Sequence, residues 1–565
     1  MTSLSDSDMY KKSKASLPEG RFSYSSNMVE YIPMRDGTKL ATSIYRPDRG
    51  KSWPVLFTRN PYPHNKELLE AVYMPLVEHG YCLVIQDCRG TGDSEGEWEP
   101  FINERNDGID SLRWLTEQEW MNGNIGTFGR SYSGFTQWIV ADCLPKEVKT
   151  MAIEVFGVDR HSQVYMDGMF REDIYTSWAF ANSGVESELS PAELYRKALQ
   201  IQPADQRDEQ LLGVKLPFYQ HYLKESSNES SYWKDSIWQI LKEMPRKIDI
   251  PILITGGWAD HHLDGTIYAY ESLLPAIKAK SKLIVGPWDH IGNTTGNLDY
   301  PFYDKFGFMN ISALHEWFDN QMHEEKRLQE SEVYVIGKRQ WEKVENWPPK
   351  CDQTQLYLNC DYKLTNHPKG EGSLSYEYNP SNPVTTNGGS ALLAWISPGF
   401  TDIPHGFITQ EDYKDREDVL TFKTDPLNGS MKIMGKIIAK LLVSSSAEDT
   451  AFTIKVCEEF KNGETYNVAD GITSIGYRNN SSRKLNYDRD EMLELEIKTW
   501  DIAWQFQEGS RIRIDISSSN YPMYHIHSNT NKPWAAVGKS GVIAKQFLHF
   551  GENGCRVMIP TVKEI

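Results

Sequence analysis

Ile125-Gly126-Thr127-Phe128-Gly129-Arg130-Ser131-Tyr132-Ser133-Gly134, continued by Phe135-Thr136-Gln137-Trp138-Ile139-Val140, is the stretch from which the chain can be understood. A short apolar run ends at Gly129 and one serine follows. A helical period then begins, with Phe135, Ile139 and Cys143 at i, i+4 and i+8. This is the layout of a nucleophile elbow, a sharp strand-to-helix turn that lifts a serine hydroxyl above a sheet. Small flanking residues are needed there because strand and helix backbones pass close together. The usual G-x-S-x-G pattern asks for glycine at position 133, where this chain has Ser133, with Gly134 one residue later. Alone, the stretch fits a plain Gly/Ser turn equally well. An acid and a histidine at later strand ends would decide between the two.

Upstream, Val29–Met34 and Lys39–Tyr45 flank Asp36-Gly37, a strong hairpin signal. The continuous apolar strand Pro54-Val55-Leu56-Phe57 runs into Arg59-Asn60-Pro61-Tyr62. A helix is predicted over 67–79, a buried strand over 81–87 and a helix over 106–118. After the elbow come a strand at 149–155 and, further on, strands at Pro251–Thr255 and Lys282–Val285, with a helix near 311–325. Strands with continuous apolar runs, alternating with helices, predict a mostly parallel sheet covered on both faces.

Between 160 and 245 the strand signal gives way to an aromatic-rich helical segment, expected to cap the sheet. After Glu332 short alternating strands separated by Gly, Asn, Pro and Ser turns predict an all-β sandwich or jelly roll. The expected organisation is therefore a loose arm at 1–25 and an α/β domain with a mostly parallel sheet at 26–159 and 246–330. A helical cap at 160–245 and a β jelly roll at 331–565 complete it.

Two strand ends supply what the elbow lacks. Ile254 leads into Thr255-Gly256-Gly257-Trp258-Ala259-Asp260, and Val285 into Gly286-Pro287-Trp288-Asp289-His290. Ser131, Asp260 and His290 thus follow one another at carboxyl ends of strands, where open α/β sheets collect their working groups. Their order is the one α/β-hydrolases use. A serine hydroxyl is a poor nucleophile until an imidazole takes its proton, and a carboxylate fixes the imidazole's tautomer. One oxyanion donor in this geometry is the amide after the nucleophile, Tyr132. The loop Asn60-Pro61-Tyr62 lies where a second is usually found, and the Tyr62 hydroxyl is either that donor or a packing group.

Composition narrows the field. The chain has 565 residues, enough for two to four domains, and a net charge of −18. An acidic surface speaks against nucleic acid or anionic membrane as the main partner. Seven scattered cysteines without a Cys-x-x-Cys pair suggest free thiols and a cytoplasmic protein. No apolar run reaches the length of a signal-peptide core in the first 24 residues or of a membrane span anywhere.

Arg59-Asn60-Pro61-Tyr62, Asp87-x-Arg89-Gly90-x-x-x-Ser94-x-Gly96, Gly129-x-Ser131-Tyr132-x-Gly134-Phe135-Thr136-Gln137-Trp138, Gly257-Trp258-x-Asp260 and Gly286-Pro287-Trp288-x-His290 occur in that order. Taken together they make the chain resemble, over nearly its whole length, the cocaine esterase / X-prolyl dipeptidyl peptidase group of serine hydrolases (the CocE/NonD family). The resemblance implies an α/β-hydrolase domain with a helical cap and a C-terminal jelly roll. It implies Ser131 as nucleophile, Asp260 and His290 as its partners, and an oxyanion hole from the Tyr62 hydroxyl and the Tyr132 amide. It also implies that the elbow does without the second glycine and that Asp87 and Arg89 belong to a structural turn.

Substrate-binding positions depart from the family. Related α-amino acid ester hydrolases hold the substrate ammonium with acids just after the triad aspartate. Here His261, His262 and Leu263 follow, with Asp264 one place out of step. The aromatic acyl pocket of the cocaine esterases, at about His262, is also altered.

Other signals are weaker. His261 and His262 beside His290 suggest a metal, but adjacent loop histidines seldom serve one ion and no Cys or Glu spacing accompanies them, so no metal is expected. His525-Ile526-His527 fits a strand. Gly90-Thr91-Gly92-Asp93-Ser94 lacks a Walker lysine. The expected protein is a cofactor-free serine hydrolase acting on a small ester, amide or short-peptide substrate. Its alternatives are an X-prolyl dipeptidyl peptidase or acylase and, in another class, an inactive carbohydrate-binding jelly-roll protein.

Overall fold

Asp36-Gly37 turns the chain back on itself, and β1 (Met28–Pro33) pairs antiparallel with β2 (Lys39–Tyr45) across it. Gly37 has φ 86°, a conformation that favours glycine. In the computed structural model, which describes residues 7–24, 28–322, 330–390, 396–478, 481–538 and 541–563, this hairpin edges a ten-stranded sheet. Its other members are β3 (Trp53–Asn60), β4 (Cys82–Asp87), β5 (Met121–Arg130), β6 (Val148–Glu154), β9 (Ile252–Gly257), β10 (Lys282–Gly286), β11 (Ser331–Val335) and β12 (Gln340–Val344). The spatial order is β1-β2-β4-β3-β5-β6-β9-β10-β11-β12. Every pairing from β4 to β11 is parallel.

Alternate side chains enter opposite layers of core. Val55 and Phe57 join the cluster around Phe135 and Trp138, whereas Leu56 joins that around Phe128 and Trp317. Both faces are buried, which is why these strands read as unbroken apolar runs. Helix α4 (Glu104–Thr116) lies between β4 and β5, and α5 (Tyr132–Trp138) follows β5.

Three expectations are corrected. The arm expected to be loose contains helix α1 (Asp8–Ala15), with Tyr10 and Ser13 buried; residues 1–6 lie outside the described residues. The Tyr10 hydroxyl and Lys14 both reach Glu78, and the Ser13 hydroxyl donates to the Val72 carbonyl. A helix over 67–79 is instead two, α2 (Lys66–Tyr73) and α3 (Pro75–Glu78), because Pro75 cannot continue the first and suits the start of the second. The residues at 331–344, expected in the β half, extend the ten-stranded sheet as β11, parallel to β10, and β12, antiparallel to β11. Val333, Tyr334 and Val335 are fully buried, and so short an apolar run suits either setting until its neighbour is known.

Between β6 and β9 the chain forms α6 (Arg160–Val164), the small hairpin β7 (Tyr165–Met166) and β8 (Met169–Phe170), and a set of helices from Glu172–Ala181 to Ile237–Glu243. The hairpin is clamped by the β half: Phe170 exchanges hydrogen bonds with His525, and its ring stacks 4.9 Å from Trp534. His525 is therefore a core residue. Beyond β12, antiparallel sheets of seven and four strands bury Leu441, Val443 and Ile497 of one with Phe452, Ile454 and Val456 of the other in one core.

Candidate active site

Ser131 sits between β5 and α5 with φ 52° and ψ −123°, a strained conformation for a non-glycine residue. The strain is held by its own amide, which donates to the Glu154 carbonyl at 2.9 Å, and by Gly134, whose amide donates to the Ser131 carbonyl at 2.8 Å. A Cβ on Gly129 would lie 2.5 Å from the Ser133 Cβ. Gly129 thereby leaves the room that lets serine stand at position 133.

The ends of β9 and β10 bring the partners. The Trp258 amide donates to the Gly286 carbonyl and the Ala259 amide to the Trp288 carbonyl, both at 2.9 Å. A Cβ on Gly257 would lie 2.3 Å from the Trp288 oxygen, so glycine is required where the two loops touch. His290 Nδ1 lies 2.8 Å from Asp260 Oδ1, and its Nε2 lies 2.8 Å from Ser131 Oγ. A carboxylate only accepts, so Nδ1 carries the hydrogen and Nε2 receives that of the Ser131 hydroxyl. Asp260 is fully buried, and its Oδ1 also accepts from the His262 amide at 3.1 Å.

The rings of Tyr62 and Tyr132 meet edge-to-face at 6.2 Å. The Tyr62 hydroxyl accepts from Trp178 Nε1 at 3.3 Å, and its own hydrogen has no acceptor among the described residues. Burial pushes its pKa up to about 12, so at neutral pH it is a phenol with a hydrogen to give. Asn60 clips the loop, accepting from the Tyr62 amide and donating to its carbonyl. Tyr132 opens α5, so its amide has no partner within the helix. Its phenol donates to Glu104 Oε1 at 2.8 Å, and Glu104 is paired with buried Arg59 at 3.1 Å.

The five residues singled out from sequence thus line one edge of the sheet, at the ends of β3, β5, β9 and β10. Two further groups have no sequence motif behind them. Arg130, inside the elbow, donates to the carbonyls of His290 (3.2 Å) and Ile291 (3.4 Å), tying the serine and histidine loops together. Trp178 reaches Tyr62 from the helical segment. Asp87 and Arg89 build the turn after β4: Ser94 Oγ donates to the Asp87 carbonyl, and Arg89 forks onto Asp107.

The positions that follow Asp260 are neutral or already paired. Burial pushes His261 and His262 well below the usual histidine range, so the approach of His261 Nδ1 to Asp260 Oδ1 at 3.4 Å is not an ion pair. Asp264 is taken by Lys436 of the β half, which also holds Asp501 at 3.2 Å.

A family model described as X-Pro dipeptidyl-peptidase (S15 family) matches residues 36–292. A second, described as X-Pro dipeptidyl-peptidase C-terminal non-catalytic domain, matches residues 323–555. The chain is similar to a cocaine esterase of Rhodococcus sp. (strain MB1 Bresler), 29% identical, over 96% of this chain and 100% of that protein. Among solved structures, an aminopeptidase from the marine sediment archaeon Thaumarchaeota archaeon superposes with a TM-score of 0.81 at 22% identity, covering 100% of both chains. An α-amino acid ester hydrolase does so with a TM-score of 0.79 at 23% identity, covering 97% of this chain and 98% of that one. At such identities the two structures speak for the fold.

Proposed function

We propose, for a chain that belongs to the CocE/NonD family of serine hydrolases, that Ser131 carries out ester hydrolysis through an acyl-enzyme. Ser131 Oγ attacks the ester carbonyl while His290 Nε2 takes its proton. Asp260 steadies the resulting imidazolium through Nδ1. The Tyr62 hydroxyl and the Tyr132 amide give hydrogen bonds to the oxyanion of the tetrahedral intermediate. His290 returns the proton to the leaving alcohol, and water, activated by the same imidazole, then frees the acid. The observation that carries this is the unbroken relay of 2.8 Å contacts from Ser131 through His290 to buried Asp260.

An exopeptidase that takes X-Pro from an amino terminus must recognise an ammonium group. The pairing of Asp264 with Lys436 leaves that acid occupied, which favours esters over amino-terminal peptides and free amino-acid esters. We place the enzyme in the cytoplasm, with a small-molecule substrate. Free cysteines among the described residues support this.

The test is steady-state hydrolysis of short-chain and aryl nitrophenyl esters beside X-Pro nitroanilides, for wild type and Ser131→Ala. Ester turnover that disappears in Ser131→Ala, with the anilides intact, is expected. Selective anilide cleavage would reverse the substrate assignment, and equal activity of the two proteins would remove Ser131 from the mechanism.

A further inference from the structure

His261, His262 and His290 meet in a way that adjacent histidines on a loop seldom do. One nitrogen from each lies within 4.8 Å of the others, and all three side chains are buried. The rings are packed together, with centroids 4.1 Å apart for His261–His262, 4.5 Å for His261–His290 and 5.2 Å for His262–His290. Neither His261 Nδ1 nor His262 Nδ1 has a hydrogen-bond partner, although each residue is only 4% exposed. Asp260 Oδ2 beside them is buried and equally bare. Unpartnered buried polar atoms are costly, and three converging imidazoles are what a borderline-soft divalent cation satisfies.

We propose that His261, His262 and His290 form a binding site for a divalent transition cation, Zn2+ or Cu2+ by donor type, and that filling it switches the hydrolase off. Nitrogens bound to one tetrahedral zinc stand about 3.3 Å apart, given metal–nitrogen bonds of about 2.0–2.1 Å. The set therefore has to tighten on binding, by rotation of side chains already in contact. Either nitrogen of His290 serves the switch. Nε2 on the metal can no longer take the proton of Ser131, and Nδ1 on the metal gives up Asp260. The guanidinium groups of Arg160 and Arg171 act on the same histidines and oppose a cation, which favours moderate, reversible binding over a permanent structural ion.

The inhibitory half of this inference rests on His290 acting as base to Ser131; the binding half does not. Chelator-treated wild type and Ser131→Ala are therefore titrated with Co2+, followed by its visible d–d absorption, and with Zn2+ by calorimetry. Ester hydrolysis is measured in parallel over a Zn2+ series with chelator reversal. Stoichiometric binding by both proteins is expected, with loss of hydrolysis at the same Zn2+ concentration and full recovery on chelation. In His261→Phe and His262→Phe, each compared with its own metal-free rate, affinity and inhibition should weaken at least about tenfold, since even disturbing a ligand's outer support costs about ten- to a hundred-fold. His262→Asn repeats the test, should a phenylalanine variant fail to fold. Absence of a cobalt spectrum in folded wild type, or inhibition unchanged in the variants, overturns the site. A metal-free enzyme with no ester activity that still binds cobalt keeps the site and discards the Ser131 mechanism.

Discussion

Tyr62 combines a hydroxyl hydrogen without an acceptor among the described residues with a pKa pushed up to about 12 by burial. Burial thus keeps the phenol protonated at neutral pH, at the place proposed above for the oxyanion. Tyr62→Phe should lower kcat by about 10²–10³-fold, the usual cost of one oxyanion donor, with KM little changed. Because the phenol does not ionise near neutrality, the ratio of wild-type to Tyr62→Phe rates should hold constant across neutral and mildly alkaline pH. A ratio that collapses as pH rises would show that Tyr62 titrates and would refute the assignment. Ser131→Ala should cost roughly a million-fold in kcat, as loss of a triad nucleophile does elsewhere. At this scale the sequence is most legible: Ser131, Asp260 and His290 announce themselves by type, order and strand-end placement. The bare nitrogens of His261 and His262 do not, because nothing in two adjacent letters says whether the rings converge.

Among elements, the loop after β10 is set by a residue of the elbow rather than by its own sequence. Arg130 precedes Ser131 and holds the carbonyls of His290 and Ile291, so it fixes His290 against Ser131. Arg130→Gln should lower kcat by up to about a hundredfold, the penalty for a small misplacement of a catalytic group, and Arg130→Lys should recover part of it. An unchanged kcat in Arg130→Gln would show that the loop holds its own shape. Helix α1 offers a contrasting test of stability alone. Tyr10→Ala removes a buried ring and its bond to Glu78 and should cost about 3 kcal/mol in denaturant unfolding, with kcat unaffected. A loss well under 1 kcal/mol would mean that α1 contributes little. Proline reveals the break between α2 and α3 in the sequence. The docking of α1, like the pairing of β11 with β10, is hidden because each depends on a surface supplied from far along the chain.

Across the whole molecule, buried phenols set the alkaline limit of the fold, among them Tyr175 and Tyr219, which bond Arg160 and Thr176 inside the helical segment. Tyr175 and Tyr219 are 2% and 0% exposed, and burial pushes each up to about 12. An unfolded tyrosine ionises near pH 10. Between those values the unfolded chain has released protons that the folded chain keeps, so stability falls as pH rises. Their contribution is fully present below about pH 10 and lost as pH climbs through about 12. A chain already at −18 gains further negative charge as it unfolds there, and self-repulsion works in the same direction. Exposed phenols such as Tyr31 and Tyr362 ionise first, and the tyrosinate absorbance of the buried ones should rise together with loss of near-ultraviolet circular dichroism in one step between about pH 10 and 12. In Tyr219→Phe, which keeps the ring and removes the ionisation, the step should move to higher pH. Complete tyrosinate formation, buried phenols included, with circular dichroism still native, would mean that these phenols reach water without unfolding. The helical segment that holds them would then be loosely packed rather than part of the cooperative fold.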